Sequence, residues 1–316
     1  MKVVLLGNMR SGRGRAMQSV AAIAGALRDD GHEVVELAVG ESHQRLSEAL
    51  SGAGALLLAG GDGTVHKALG EVLAAGVPVY HVPCGNENLV AREFGMVRES
   101  RAVCRAVAAG NVRRVDVGVV EETFEGGRPP AEFPFLLMCG VGPDAGVIER
   151  LTALRKKAIG HLAYIEPVMR EILSPRLPAL TVEVDGKRVV DDRHGMLIVA
   201  NCRHYGFRLD PAERASMTDG HLDVVFMPCR TSIGALAWMA RLSLGWRKRG
   251  RGYWQGKVVE VRSRGEGVYQ LDGDAPRWQL AHGPEQTRRT HLPGGATEGL
   301  RLRISLRPAA LPVLVP

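Results

Sequence analysis

The chain has 316 residues, of which 45% are apolar and 24% are charged. These proportions exclude a disordered, collagen-like or disulfide-stapled protein, and the length predicts about two domains with cores of their own. The formal net charge of +7 favours an anionic partner, such as a nucleotide, a nucleic acid or an acidic membrane surface. A basic protein whose charge only keeps it soluble is the alternative that composition leaves open.

The cysteines and the apolar runs indicate the compartment. The five cysteines include no C-x-x-C pair, so we expect neither a disulfide framework nor a zinc cluster, and a reducing cytoplasm fits best. The first apolar run, residues 3–6, is shorter than a signal-peptide core, and no run approaches the ~18 residues of a membrane span. We therefore expect a cytoplasmic protein that reaches any membrane substrate from the water side.

The first 118 residues alternate short apolar runs with helical stretches. Strands are predicted at residues 2–6, 33–37, 55–58 and 79–82, and helices at 15–27, 44–50 and 64–74. This alternation predicts a parallel sheet flanked by helices, whose ligands bind at the carboxyl ends of the strands. Glycine-containing turns at residues 7–14, 60–63 and 83–88 follow predicted strands. We expect these turns to converge on one edge of the sheet and form a site.

The pattern changes after residue 113. Strands separated by polar turns are predicted at residues 115–120, 133–139, 180–184, 196–200, 222–226, 258–261 and 300–306, with one basic helix at 152–173. Residues 121–130 indicate a hairpin connection, and residues 281–298 a polar, mobile excursion. The predicted fold class is thus α/β plus all-β, with a mainly antiparallel second domain.

The strongest local motif is Gly60-Gly61-Asp62-Gly63-Thr64, between a predicted strand and a predicted helix. Glycines allow backbone amides to face a phosphate chain at a helix N-terminus, and the carboxylate of Asp62 could hold Mg²⁺ or a water. A plain tight turn is the alternative, although a turn seldom needs three glycines around an acid. The motif predicts a phosphate-binding loop.

Two other glycine motifs give weaker signals. Residues 7–14 nearly match a Walker A loop, but Arg13-Gly14 stand where Lys and Ser/Thr are required, so they do not form one. Gly140-x-Gly142-x-x-Ala145 partly matches a dinucleotide-binding fingerprint, without a clear acidic-tipped second strand about 20 residues later. Neither motif assigns a function.

Taken together, the motifs resemble a known family. They are, in chain order, Asn8-x-x-Ser11-Gly12, the loop Gly60 to Thr64, Pro83-x-Gly85-x-x-Asn88-x-x-Ala91-Arg92, Gly142-x-Asp144-Ala145, Asn201 with Tyr205-Gly206, Asp219-Gly220-x-Leu222-Asp223, Leu271-Asp272-Gly273-Asp274 and the closing residues 308–316. Their order and spacing resemble the diacylglycerol kinase catalytic-domain family. These soluble bacterial lipid kinases are related to sphingosine kinases and, more distantly, to NAD kinases and 6-phosphofructokinases.

The resemblance implies a domain organisation and an activity. It implies an α/β nucleotide-binding domain at residues 1–118, joined by a returning C-terminal tail at 304–316, and a β-sandwich-like lipid-substrate and catalytic domain at 119–303. The nucleotide would lie between the two domains. The implied activity is that of a phosphotransferase with an alcohol acceptor, which uses ATP and Mg²⁺ to phosphorylate diacylglycerol or a similar lipid in phospholipid biosynthesis. Such an enzyme would be cytoplasmic and peripheral at the inner membrane face.

The resemblance also implies the site residues. Those that would bind ATP are Asn8, Ser11, Gly12, Gly60, Gly61, Asp62, Gly63, Thr64, Gly85, Asn86 and Asn88. Magnesium would be held by Ser216, Asp219 and His221, in part through backbone carbonyls. The catalytic residues would be Asp62 and Asp274. Asp62 would hold Mg²⁺ or its waters and so neutralise the charge that grows on the transferred group, and Asp274 stands where the family has a Glu that acts as base. Spacing alone favours a plain β-turn for Asp272-Gly273-Asp274.

Several residues depart from the family pattern. Gly85-Asn86-Glu87-Asn88 stands where the family has Gly-Thr-Gly-Asn, so an amide replaces a phosphate-facing hydroxyl and a carboxylate enters the loop. Two alternatives to a lipid kinase therefore stay open. One is an NAD kinase, which shares the Gly-Gly-Asp-Gly-Thr loop, and the other is a non-catalytic nucleotide- or lipid-binding relative.

The stretch 235–255 carries Trp238, Trp246, Tyr253 and Trp254 among several arginines. Rings and cations in this mixture are typical of a surface that meets anionic lipid head groups. The alternative is a helix that buries its aromatic side chains while arginine stems cover them. A specific nucleic-acid partner is not expected because no binding module is readable, and a homodimer stays open.

Overall fold

The computed structural model describes residues 1–8, 15–40, 42–123, 131–142, 177, 179–246, 249–264, 269–274 and 299–316. The chain divides into two units, Met1–Val117 with Arg307–Pro316, and Gly118–Leu306. The predicted helix at 152–173 and the predicted excursion at 281–298 lie outside the described residues, as do Ser11 and Gly12.

The first unit alternates strands and helices. Its elements are β1 (Lys2–Gly7), α1 (Arg15–Asp29), β2 (Glu33–Ala38), α2 (His43–Leu50), β3 (Ala55–Gly60), α3 (Asp62–Ala75), β4 (Val79–Pro83), α4 (Leu89–Glu93) and α5 (Ser100–Ala109). Strand β3 is buried along its whole length, as a continuous apolar run covered by helices on both faces requires. Ser42 is the N-cap of α2, and its hydroxyl accepts a hydrogen bond from the Arg45 amide at 3.2 Å.

The strands of this unit form a parallel sheet in the order β2-β1-β3-β4. The C-terminal part of β14 (Arg301–Leu314) joins the sheet next to β4, where Val313 pairs in parallel with Val79. The predicted parallel sheet is confirmed. Residues Arg307–Pro316, at the end of the chain, belong to the first unit. The carboxyl ends of β1, β3 and β4 therefore lie along one edge, as the sequence pattern requires.

The second unit is rich in antiparallel strands. Its elements are β5 (Val112–Glu122, which begins in the first unit), β6 (Ala131–Phe135), β7 (Met138–Val141), β8 (Ala179–Val184), β9 (Lys187–Ala200), a short 3-10 helix (Gly206–Arg208), β10 (Leu222–Pro228), α6 (Ser232–Ser243), β11 (Gly252–Gly256), β12 (Val258–Arg264), β13 (Tyr269–Leu271) and the first part of β14. Strands β5 and β6 pair antiparallel, which confirms the predicted hairpin.

Strand β9 links two sets of strands in this unit. Its first part pairs with β8, which also pairs with β12, and its last six residues pair with β10 and β7. Fully or nearly fully buried apolar side chains of this unit, including Phe135, Leu197, Val224, Val261 and Ile304, form one core. The predicted β-rich second domain is confirmed.

The prediction of one strand at 133–139 is wrong. The chain turns between Phe135 and Met138, so that β6 pairs with β5 while β7 pairs with β9 and β13. The reason is a carboxylate distant in sequence, because Asp272 accepts hydrogen bonds from the backbone amides of the turn. An apolar run alone could not reveal that turn.

Candidate functional site

The Gly60 to Thr64 loop connects the end of β3 directly to the start of α3. The Gly60 carbonyl accepts hydrogen bonds from the Cys84 amide at 2.8 Å and from His81 Nε2 at 3.0 Å. Gly61 is the N-cap of α3, and its carbonyl accepts a hydrogen bond from the Thr64 amide at 2.8 Å. The positive end of the α3 dipole thus lies at the carboxyl end of β3, which is a favourable place for an anion.

The loop after β4 is held by one side chain. Asn88 Oδ1 accepts a hydrogen bond from the Gly85 amide at 2.8 Å, and Asn88 Nδ2 donates to the Gly85 carbonyl at 2.9 Å. Asn88 also takes a left-handed backbone conformation, with φ of 49°, which asparagine tolerates better than most residues. Asn88 therefore shapes this loop through its own side chain and its backbone.

The two glycine loops pack main chain against main chain. A Cβ atom on Gly85 would lie 2.6 Å from the Gly61 Cα atom, and one on Gly61 would lie 3.2 Å from the Gly85 Cα atom. Any larger residue at position 85 would force the loops apart. The contact explains why glycine stands at both positions.

Asn8 and Asp62 complete this group of residues. The Asn8 amide donates to the Ala59 carbonyl at 2.9 Å, and Asn8 Nδ2 donates to Thr64 Oγ1 at 3.4 Å. Asp62 Oδ1 accepts a hydrogen bond from the Val90 amide at 3.2 Å, which ties the start of α3 to the start of α4. The structure therefore brings together the predicted nucleotide-binding residues that it describes.

Asn86 and Glu87, the two residues of this loop that depart from the family pattern, have different environments. Asn86 is exposed. The Glu87 carboxylate lies 3.9 Å from the guanidinium of Arg92, so a cation of α4 offsets its negative charge.

Sequence reasoning missed His81, which lies on β4 beneath the first glycine loop. Its side chain is fully buried, and this burial lowers the pKa of His81 from 6.5 to about 4. The ring is therefore neutral at pH 7, and Nε2 carries the proton because its partner, the Gly60 carbonyl, can only accept. The only available signal was a histidine in an otherwise apolar strand next to a glycine loop.

In the second unit, Asp272-Gly273-Asp274 forms a tight turn after β13. Asp272 and Gly273 have φ values of 52° and 85°, and Leu271 and Asp274 form a bridge between their main chains. The β-turn that the spacing favoured is thus correct, and it does not conflict with a catalytic role.

The two acids of this turn have different environments. The Asp272 carboxylate accepts hydrogen bonds from the amides of Leu136 at 2.8 Å, Leu137 at 2.7 Å and Met138 at 3.0 Å. The Asp274 carboxylate is partly exposed and has no hydrogen-bond partner among the described residues. Asp272 therefore fixes the turn between β6 and β7, whereas no described residue occupies the carboxylate oxygens of Asp274.

Asn201 acts on the same turn from the end of β9. Its side chain is fully buried, and Nδ2 donates to the Leu136 carbonyl at 2.8 Å. Asp272 accepts hydrogen bonds from the backbone amides of this turn, and Asn201 donates one to a carbonyl of the same turn, so both side chains stabilise it. Sequence reasoning noted Asn201 without recognising this role.

The predicted metal residues lie in the loop that precedes β10. Asp219 Oδ1 accepts a hydrogen bond from the His221 amide at 3.0 Å, and the Asp219 carbonyl accepts one from His221 Nδ1 at 2.9 Å. Ser216 Oγ lies 3.3 Å from Thr218 Oγ1. Within the described residues, no three His, Cys, Asp or Glu side chains gather as a metal-binding group. A cation here would rely on one carboxylate and on main-chain oxygens.

A buried network behind this loop escaped the sequence reasoning. Asp223 is fully buried, and its carboxylate accepts hydrogen bonds from Tyr253 Oη at 2.5 Å and Gln255 Nε2 at 3.2 Å. Burial raises the pKa of Asp223, and burial together with the Asp223 carboxylate raises the pKa of Tyr253. These contacts fix β11 to the strand that follows the loop.

The network corrects the expectation that the rings of 235–255 together form a membrane surface. The Tyr253 hydroxyl is bound inside the unit, and Trp238 is only 5% exposed with the Arg241 guanidinium 4.3 Å from its ring centroid. The alternative of a helix that buries its aromatic residue under an arginine is correct for Trp238. In the part of the chain that the structure describes, no helix is both long and apolar enough to cross a membrane.

Comparisons with known proteins agree with this architecture. Residues 2–120 match the model of the diacylglycerol kinase catalytic domain, and residues 138–314 match the YegS C-terminal NAD kinase beta sandwich-like domain. A diacylglycerol kinase of Mycobacterium tuberculosis (strain ATCC 25618 / H37Rv) is 28% identical over 228 residues, which cover 71% of this chain and 72% of that protein.

Two solved structures share the fold. A provisionally assigned diacylglycerol kinase from Bacillus anthracis str. Sterne superposes with a TM-score of 0.71 at 18% identity, covering 100% of this chain and 95% of that one. Yeast NADH kinase in complex with NADH gives 0.57 at 9% identity, covering 100% and 84%. The kinase relatives make this chain a kinase-type phosphotransferase that uses a nucleotide. Since the two domain models together span nearly the whole chain, it belongs to the diacylglycerol kinase catalytic-domain family.

Proposed function

We propose that the protein is an ATP- and Mg²⁺-dependent lipid kinase that phosphorylates a hydroxyl of diacylglycerol or a similar lipid. The observation that carries this proposal is the packing of Gly61 against Gly85 beside the N-terminus of α3. Phosphoryl transfer depends mostly on positioning and charge stabilisation, which such a main-chain surface supplies. The family membership supports a lipid acceptor.

The ATP phosphates would lie against the two glycine loops. Amides of the Gly60 to Thr64 loop would donate to phosphate oxygens, because the α3 dipole already favours negative charge there. Asn8, Gly85, Asn86 and Asn88 would complete the nucleotide site, together with Ser11 and Gly12 from the segment that the structure does not describe.

The oxygens near Asp219 fit Mg²⁺. Magnesium prefers oxygen ligands, and the Asp219 carboxylate with the main-chain oxygens of Ser216 and His221 offers such a set. Within the described residues, only one of the two Asp219 carboxylate oxygens accepts a hydrogen bond. Asp62 would hold Mg²⁺ or its waters beside the phosphates. The ion, when bound, would offset the charge that develops on the transferred group.

Asp274 would act as the general base. Its carboxylate has no partner among the described residues, so it can accept the proton of the acceptor hydroxyl as that oxygen bonds to the γ-phosphorus. The bond from the γ-phosphorus to the bridging oxygen breaks, and ADP leaves. Asp272 cannot take this role in the same conformation because three backbone amides occupy its carboxylate.

The test is an assay of the full chain with Mg-ATP and diacylglycerol in mixed micelles. We expect phosphate transfer, and we expect Asp274→Asn to lower kcat by about 10²–10⁴-fold. Asp191→Asn is the matched control, because Asp191 lies on the surface of β9 with its side chain 72% exposed. If Asp274→Asn retained full activity, Asp274 would not be the base.

The same assay separates the two alternatives. Stimulation of ATP consumption by NAD⁺ instead of lipid would assign the protein to the NAD kinase branch. ATP binding without transfer to either acceptor would identify a non-catalytic relative. Both outcomes contradict the proposed lipid kinase.

A further inference from the structure

In the described part of the second unit, the exposed large apolar side chains lie in one short segment. Among the described residues of this unit, the large apolar side chains that are exposed are Met239, Leu244 and Trp246, at 36%, 64% and 67%. All three lie within residues 239–246, at the carboxyl end of α6 and in the turn after it. We call Leu244 and Trp246 the α6 tip. An exposed aromatic and leucine at one place need an explanation, because isolated surface apolar residues are common but clusters mark contacts.

The backbone fixes the α6 tip in its exposed position. The Trp246 amide donates to the Arg241 carbonyl at 2.8 Å, the Gly245 amide donates to the Leu242 carbonyl at 3.0 Å, and Gly245 has φ of 75°. This is a Schellman motif, in which the residue after the glycine usually packs against the last turn of the helix. Trp246 does not, since two-thirds of its side chain stays exposed.

Arg241 occupies the helix position on which Trp246 would otherwise pack. Its guanidinium lies 4.3 Å from the centroid of the Trp238 ring and donates to the Arg249 carbonyl. Trp238 in turn donates from Nε1 to the Pro228 carbonyl at 3.0 Å. Trp238 and Arg241 on α6 are therefore packed into the unit, while Leu244 and Trp246 of the α6 tip are exposed in the turn after the helix.

The stretch of chain that contains the tip carries side-chain charge of one sign. Residues 224–259 contain seven Lys and Arg residues and no Asp or Glu. Of these cations, Arg249 is exposed, and its carbonyl accepts a hydrogen bond from Arg241 in the last turn of α6. Arg251 is instead buried, and one of its guanidinium nitrogens bonds both carboxylate oxygens of Glu213.

We propose that the α6 tip, together with the neighbouring exposed Arg249, docks onto an anionic lipid bilayer. Tryptophan favours the membrane interface, and each exposed cation near an anionic surface strengthens binding about fivefold. A second copy of the chain is a poorer partner, because three apolar side chains fall well short of the ~800 Å² per partner that a stable interface buries. Docking here goes beyond phosphoryl transfer and does not depend on it.

The test is cosedimentation of the full chain with vesicles of phosphatidylglycerol and phosphatidylcholine, compared with phosphatidylcholine alone. We expect binding to the anionic vesicles, a loss of at least about tenfold in affinity for Leu244→Ser/Trp246→Ser, and a loss of about fivefold for Arg249→Gln. Trp246→Leu should retain binding because it stays apolar. Met17→Ser is the matched control, since Met17 lies on α1 and is 52% exposed.

Tryptophan fluorescence keeps the test valid if the double variant is poorly folded. Brominated lipids should quench the wild-type protein and should quench Trp246→Leu much less, which would place residue 246 in the bilayer. Activity on a water-soluble short-chain diacylglycerol should be equal in Leu244→Ser/Trp246→Ser and the wild type, so vesicle binding and catalysis are scored separately. Equal vesicle binding by that variant would overturn the proposal, as would loss of a dimer with vesicle binding unchanged.

Discussion

The first unit builds its candidate site from main-chain atoms, whereas the second builds its site from carboxylates. In the first unit, Gly61 and Gly85 touch through their backbones, and the end of one helix supplies the electrostatic field. In the second unit, each acid is defined by the groups that contact it. The difference shows that a contiguous motif determines a main-chain site, while the role of a side chain depends on partners far along the chain.

The three acids Asp223, Asp272 and Asp274 illustrate this dependence. Asp223 is buried and bound by Tyr253 and Gln255, Asp272 is bound by three amides, and Asp274 has no partner among the described residues. One residue type thus fixes a strand at Asp223, fixes a turn at Asp272 and supplies a candidate base at Asp274. Substitutions should separate these roles.

The largest expected effect on stability separates the two acids of one turn. Asp272→Asn places an amide where a carboxylate accepts three backbone hydrogen bonds, so we expect the free energy of unfolding to fall by about 3 kcal/mol. Asp274→Asn should change it by less than about 0.5 kcal/mol. Urea unfolding at pH 7.5 measures both values. If both variants lost the same free energy of unfolding, Asp272 would not have the structural role that distinguishes it from Asp274.

The next prediction tests the main-chain site. Gly85→Ala places a Cβ atom 2.6 Å from the Gly61 Cα atom, so the two loops must separate. We expect ATP to bind about 10–100-fold more weakly, measured by isothermal titration calorimetry. Gly70→Ala in α3 is the control, because its Cβ meets no atom within 4 Å. Unchanged ATP affinity in Gly85→Ala would mean that the loop contact is not part of the nucleotide site.

Sequence reasoning was most successful where the signal was contiguous. The parallel sheet and the position of the Gly60 to Thr64 loop followed from apolar runs and glycines that are neighbours in the chain. The break between β6 and β7 could not be predicted, because Asp272 is more than 130 residues from the amides it binds. The roles of Asn201 and Asp223 likewise depend on contacts that a linear pattern does not contain.

A smaller effect on stability is expected from the histidine beneath the glycine loop. Between pH 6.5 and 4 only the unfolded chain binds a proton at His81, because burial lowers the pKa of His81 in the folded state to about 4. Stability should therefore fall as the pH falls through this range, by about 2 kcal/mol between pH 7.5 and 5. Urea unfolding of the wild type and of His81→Gln at pH 7.5 and pH 5 measures the part of this loss of stability that His81 causes.

His81→Gln should retain a donor to the Gly60 carbonyl and lose this part of the pH dependence. If the wild type and His81→Gln had the same dependence on pH, the ring of His81 would not be neutral in the folded protein at pH 5. A structural residue of the first unit would then behave like a surface histidine.

The smallest expected effect concerns the exposed amide in the second glycine loop. Asn86 occupies the position at which the family has a hydroxyl, and its side chain is exposed, so Asn86→Thr should leave the free energy of unfolding unchanged. If the main chain supplies most of the phosphate contacts, one added hydroxyl should lower the KM for ATP only about two- to fivefold, as expected for a single exposed hydrogen bond. Steady-state kinetics at saturating lipid measures this change, with Asn111→Thr as a control at an exposed position of the same unit. A change of a hundredfold would contradict the main-chain account, because the first unit would then depend on individual side chains as the second unit does.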